Sequence, residues 1–205
     1  MEKTNPQVHS YIALRRTVGW IGILLPFVLM AGNRIFFSGR FPMPNVSMYY
    51  FTGMHDVFVG SLCAIALFMF FYKGYDKLDN LAGNLAGFFA LGIAFFPTSP
   101  GGLDTWTSKV HFMCAGVFFL ILAVFSLFLF TRKSPDPTRE KQARNRIYFI
   151  CGSVMIISLI AILVFSAFFE EDHRQSTFVF WAETCALLAF GISWLTKGGA
   201  LYPDK

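Results

Sequence analysis

Four side chains in this sequence have the chemistry of a metal or acid–base site: the adjacent His55 and Asp56, then His111 and Glu183. Imidazole nitrogen and carboxylate oxygen are zinc ligands. A zinc ion with one open position makes bound water nucleophilic enough to attack an ester or amide. On this reading the chain is a metal-dependent lipid hydrolase with zinc held by His55, Asp56, His111 and Glu183, although no His-Glu-x-x-His spacing accompanies them. The two histidines could also be axial haem ligands, a reading without further haem signals.

A second chemistry needs no reaction. Arg34 carries a planar fork suited to phosphate. Together with Ser47, Tyr50, His55, Asp56, His111 and Glu183 it forms a set that could capture a lipid headgroup or a small polar ligand. A third reading is structural: Glu183 is held by His111 or Arg34, and Asp56 by His55 or a tyrosine, as interhelical contacts worth about 1 kcal/mol each.

These residues must be positioned by membrane helices. Of 205 residues 55% are apolar and 14% charged, against roughly 25% charged in an ordinary soluble domain. Apolar runs cover 17–37, 50–72, 80–97, 108–131, 147–169 and 177–196, each long enough to cross about 30 Å of hydrocarbon as a helix, the third only just. The run 147–169 has no charge and no alternation, which excludes a β-barrel strand. The expected fold is therefore all-α: a six-transmembrane-helix bundle forming one membrane domain over 1–205, with no room for a Rossmann or other cytosolic catalytic unit. The first run contains Pro26 and Asn33 and lacks a clean small-x-small cleavage site, so it reads as a retained span rather than a signal peptide.

Six spans put both termini on one side. That side carries thirteen of the Lys and Arg residues, six of them between Arg132 and Arg146, whereas the other has only Arg34, Arg40, Lys109 and Arg174. The positive-inside rule makes the richer side cytoplasmic, in a plasma membrane or bacterial inner membrane. The net charge of +5 is thus a topology signal, with anionic headgroups its natural partner and nucleic acid excluded. Membrane lipids are the expected partners, and the sequence leaves homo-oligomer formation open. Cys63, Cys114, Cys151 and Cys185 all lie in spans, form no Cys-x-x-Cys pair and read as small buried apolar residues. The third span is rich in small residues, with Gly83 and Gly87 four apart, and should approach its neighbours closely, while the Phe-rich fourth and fifth face lipid.

Depth follows from the helical rise. Asp56 and Glu183 lie about 9 Å below the outer ends of their runs, and His111 and Arg34 about 5 Å. Four helices thus offer polar groups to one outer layer. Loops add Tyr49, Thr98, Asp104 and the acidic run Glu170, Glu171, Asp172 with His173, which reads as a solvated loop, whereas His9 belongs near the cytoplasmic N-terminus.

The stretch Pro44-Asn45-Val46-Ser47, the pair Val110-His111, and Glu183 followed by Ala189-Phe190-Gly191 resemble six-helix membrane proteins of the damage-regulated autophagy modulator, Frag and Sfk type. The segment from Gly92 to Thr98 is similar to bacterial six-helix proteins of unknown function. The chain departs from the eukaryotic pattern at His55-Asp56 and at Met48, where that pattern has an acidic residue. The resemblance implies the six-helix architecture, a link to membrane lipids, and weight on Ser47, His111 and Glu183.

Overall fold

The computed structural model describes residues 6–100, 105–132, 137–169 and 175–203, and among these the chain is all helix and turn, with no strand. The helices are α1 (Pro6–Phe37), α2 (His55–Phe71), α3 (Lys77–Phe95), α4 (Trp106–Val124), α5 (Arg139–Phe168) and α6 (Phe178–Lys197). A 3₁₀ segment, Val46–Phe51, precedes α2, and a π-helical turn, Phe125–Leu129, prolongs α4. Among the described residues, five helices are long and apolar enough to cross a membrane; α2, with 17 residues, is the shorter sixth.

Several boundaries differ from the apolar runs. The run 50–72 does not begin as an α-helix. Asn45 caps the 3₁₀ segment by accepting the Met48 N–H at 2.9 Å, and extended Thr52 closes it, so α2 starts only at His55. At about 1.5 Å per residue the 17 residues of α2 reach about 26 Å. Helix α1 starts eleven residues before its apolar run and α5 eight before. The added turn of α5, Arg-Glu-Lys-Gln-Ala-Arg, is made of strong helix formers and is capped by Thr138, whose hydroxyl accepts the Lys141 N–H at 3.1 Å.

Helix α3 opens on a capping box. Asp76 accepts from Leu78 and Asp79, and the Asp79 carboxylate reaches back to the Asp76 N–H. The Asp79 N–H, helped by the Arg132 guanidinium, holds the Asp76 carboxyl below the usual carboxylate range. The helix ends at Phe95 because Pro97 disfavours helical dihedrals at Phe96, which sits at φ −107°, ψ 94°.

Helix α6 is the buried centre, packed between α1 and α5. Two close approaches bring helices together. A Cβ on Gly191 of α6 would lie 2.5 Å from the Gly19 carbonyl oxygen of α1. A Cβ on Gly83 or Gly87 of α3 would lie 2.9 Å from the Met69 or Ala66 carbonyl of α2, as the small residues of that run imply. Ser126 of the π turn hydrogen-bonds Ser193 of α6 at 2.7 Å. Helix α5 leaves Ile150, Ile157, Leu163 and Phe168 exposed, and α4 leaves Phe112, Leu120 and Phe128 exposed.

The Gly19–Gly191 crossing gives a stability prediction. Gly191→Ala should lower the melting temperature of detergent-solubilised protein by several degrees, because an overpacked methyl costs about 1–3 kcal/mol. Gly116→Ala faces no heavy atom within 4 Å and should leave melting unchanged or raise it slightly. Equal behaviour of the two variants would show that the crossing is not tight.

Candidate functional site

The stretch 38–54, whose only helical part is the 3₁₀ segment, forms a cap at the end of the bundle where α1 ends and α6 begins. Its entry is fixed by Asn33 in the last turns of α1. The Asn33 carbonyl accepts the Gly39 N–H at 3.0 Å and its side-chain amide donates to the Arg40 carbonyl at 3.1 Å. Arg40 in turn hydrogen-bonds the side chain and backbone oxygens of Gln175, just ahead of α6. Further along, Pro44 offers its carbonyl to the Phe180 N–H at 3.0 Å, satisfying a donor in the first turn of α6.

Glu183 receives the cap one residue pair later. Its Oε2 accepts the Val46 N–H at 2.6 Å. Tyr49 is fully buried, and its hydroxyl accepts the Met43 N–H at 3.2 Å. Thr98, also buried, donates to the Met48 sulfur at 3.8 Å.

Ser47 meets His111 of α4. The serine Oγ lies 2.8 Å from His111 Nε2, while Nδ1 lies 2.7 Å from the Phe96 carbonyl oxygen at the end of α3. Because a carbonyl only accepts, Nδ1 carries the proton, and Nε2 of the neutral ring accepts from the serine hydroxyl. Both residues are buried, at 7% and 2% exposure. One turn before His111, Ser108 donates to Ser99 at 2.8 Å, and both hydroxyls meet Thr105, the α4 cap, at 2.9 and 2.6 Å.

The structure therefore joins Ser47, His111 and Glu183 through the two adjacent cap residues Val46 and Ser47. It does not bring His55, Asp56 or Arg34 to them. His55 Nδ1 pairs with Asp56 Oδ1 at 3.0 Å, the carboxylate is fully solvent-exposed, and the imidazole sits edge-on to Tyr50 with ring centroids 4.4 Å apart. Arg34 is exposed on α1. The zinc set of His55, Asp56, His111 and Glu183 is accordingly not assembled. Among the described residues no three His, Cys, Asp or Glu side chains come together as metal ligands, and both nitrogens of His111 are already engaged. Asp104, Glu170, Glu171, Asp172 and His173 lie outside the described residues, as does the His9 side chain.

Two partners carried no sequence signal: the Val46 N–H and the Phe96 carbonyl are backbone groups. Phe96 was reachable in principle, since Pro97 ends α3 and leaves its last carbonyls without helical partners. No family model, curated protein or solved structure matches the chain.

The Ser47–His111 bond should be measurable as a coupling. Ser47→Ala and His111→Ala should each lower stability, and the double variant should cost less than their sum by about 1 kcal/mol, the scale of a polar contact between membrane helices. Strict additivity in a thermal or denaturant double-mutant cycle would mean that the bond contributes nothing.

Proposed function

We propose that this chain is a six-span integral membrane protein that binds a membrane lipid at its Ser47 end, and so organises lipid there. In this reading α2 is the sixth span, both termini are cytoplasmic, and the membrane is a plasma or bacterial inner membrane. Support for the orientation comes from Arg15, Arg16, Lys73, Arg132, Lys141, Arg144 and Lys197, whose contacts tie together the end that carries the start of α1 and the finish of α6. The likeness to the damage-regulated autophagy modulator, Frag and Sfk type belongs to the same proposal.

The observation that carries the reading is a groove of about 440 Å³ between α5 and α6. Its walls are apolar: Ile157, Ile160, Val164 and Phe165 from α5 face Phe178 at the start of α6. Phe165 and Phe178, both in its lining, stack with centroids 4.8 Å apart. Gln175, held by Arg40, lies three residues ahead of Phe178 in the chain. An acyl chain in the groove with its headgroup at the level of Arg40 and Gln175 would satisfy both surfaces.

Native mass spectrometry of gently solubilised protein should show a retained lipid. Val164→Trp, which fills the groove, should remove it while helicity and melting stay near wild type. Lipid retention unchanged by the tryptophan would remove the groove from the proposal, and a lipid-free wild type with no measurable lipid affinity would overturn the reading.

A second reading is favoured by the Ser47–His111–Phe96 arrangement, which supplies a base on a hydroxyl without any metal. Here Ser47 Oγ attacks the carbonyl of a lipid ester as its proton passes to His111 Nε2. The proton then leaves with the lipid alcohol, and water hydrolyses the acyl-serine. A fluorophosphonate probe should label wild type, and labelling should vanish in Ser47→Ala and fall at least tenfold in His111→Gln. Absence of labelling in folded wild type in lipid nanodiscs would leave Ser47 and His111 as a fastening alone.

A further inference from the structure

At the opposite end of the bundle, cations from four elements converge. Lys197 at the end of α6 and Arg132 beyond α4 stand 4.7 and 5.7 Å from the Tyr75 ring, Lys197 is 5.1 Å from Phe130, whose carbonyl accepts from Lys141 of α5 at 3.3 Å, and Arg15 of α1 adds a further like charge. Asp76 and Asp79 are already committed. Arg132 Nη2 lies 2.9 Å from Asp76 Oδ2 and 3.0 Å from Asp79 Oδ1, and the other oxygen of Asp79, a residue only 1% exposed, accepts the Tyr75 N–H at 2.5 Å.

Among the described residues, Arg15 and Lys197 have aromatic partners and no carboxylate in salt-bridge reach. The Arg15 guanidinium stands 4.4 Å from the Tyr11 ring centroid and 5.5 Å from that of Tyr72, and its buried Nε has no hydrogen-bond partner. Lys197 Nζ stands 4.7 Å from the Tyr75 ring and 5.1 Å from Phe130, with one long bond of 3.4 Å to the Tyr75 hydroxyl. Aromatic faces attract cations by about 0.5–2 kcal/mol but do not neutralise them. Two cations that repel each other, half withdrawn from water, with one N–H unsatisfied, need an anion.

We propose that Arg15 and Lys197 form a binding site for a phosphate group, carried by the headgroup of an anionic phospholipid in the leaflet at this end. The guanidinium of Arg15 supplies a planar pair of donors and the ammonium of Lys197 a point charge, a combination suited to phosphate oxygens. Tyr11 and Tyr75 wall the site, and Tyr11 is itself pinned by Lys73, whose N–H and carbonyl both meet the Tyr11 hydroxyl at 2.9 and 2.7 Å. The site lies at the far end of α6 from the apolar groove and is independent of it.

The test uses the full chain in detergent and follows melting. Micelles carrying phosphatidylglycerol should raise the melting temperature by about 5 °C at saturation over phosphatidylcholine alone. The rise should disappear in Arg15→Gln and in Lys197→Gln and persist in Arg146→Gln, which alters an exposed basic residue of α5. In phosphatidylcholine alone Lys197→Gln should melt at or above wild type, since it removes a repulsion; this keeps the test readable if Arg15→Gln folds poorly. Inorganic phosphate added to phosphatidylcholine micelles separates the sources: a full rise identifies a soluble phosphate, and none identifies the lipid. No rise in wild type with either anion, or an undiminished rise in Lys197→Gln, would overturn the proposal.

Discussion

A buried backbone N–H or C=O with no partner is costly, and that cost governs the irregular stretch 38–54. A helix satisfies itself, whereas this cap cannot, so its groups are met by side chains sent from the helices. Asn33 of α1 meets Arg40, Glu183 of α6 meets Val46, and the α6 backbone takes Pro44. The orphan carbonyl at the end of α3 is met by His111, which holds Ser47 with its other nitrogen. The polar residues of this layer are therefore bound to backbone and to a hydroxyl rather than to one another. That is why a carboxylate and an imidazole at similar depth on different helices do not pair.

The same constraint separates what could be read in the sequence from what could not. Apolar runs reveal helices because hydrocarbon thickness sets their length, and the runs at 80–97, 108–131 and 177–196 lie close to α3, α4 with its π turn, and α6. They do not reveal helix beyond the apolar stretch. The basic turn that opens α5 is helical through propensity and a threonine cap, with no apolar signal to mark it. Conversely, the apolar residues from Tyr50 to Met54 look like membrane helix, but the Asn45 cap and the Thr52–Gly53 break turn them aside.

For the site, the polar residues were legible and their directions were not. The rise along a helix places Glu183 and His111 in one layer, but a rotation of about 100° per residue decides which neighbour each meets. The depth counted for Asp56 assumes a helix from Tyr50, whereas α2 opens at His55, and His55 and Asp56 pair with each other there, the carboxylate fully exposed. Ser47, His111 and Glu183 were each visible as polar residues near the ends of apolar runs. Their real partners, Val46 N–H and Phe96 C=O, carry no side-chain identity to read.

Helix α6 links the two ends. It carries Glu183 under the cap and Lys197 among the tyrosines, with Gly191 between them at the closest approach to α1. The tight crossing fixes both the height and the rotation of α6 against α1, since the backbones touch where any side chain would collide. One residue of slippage would turn Glu183 about 100° from Val46 and carry Lys197 the same angle away from Tyr75. The contrast between the ends follows from what each must satisfy. At the cap, backbone groups absorb the polar side chains one for one, whereas at the basic end Asp76 and Asp79 both engage Arg132, and Arg15 and Lys197 lean on rings. One end of the bundle is thus met largely from within the chain, while the other keeps cations whose partners are aromatic rings, and this asymmetry is what the proposed headgroup site would use.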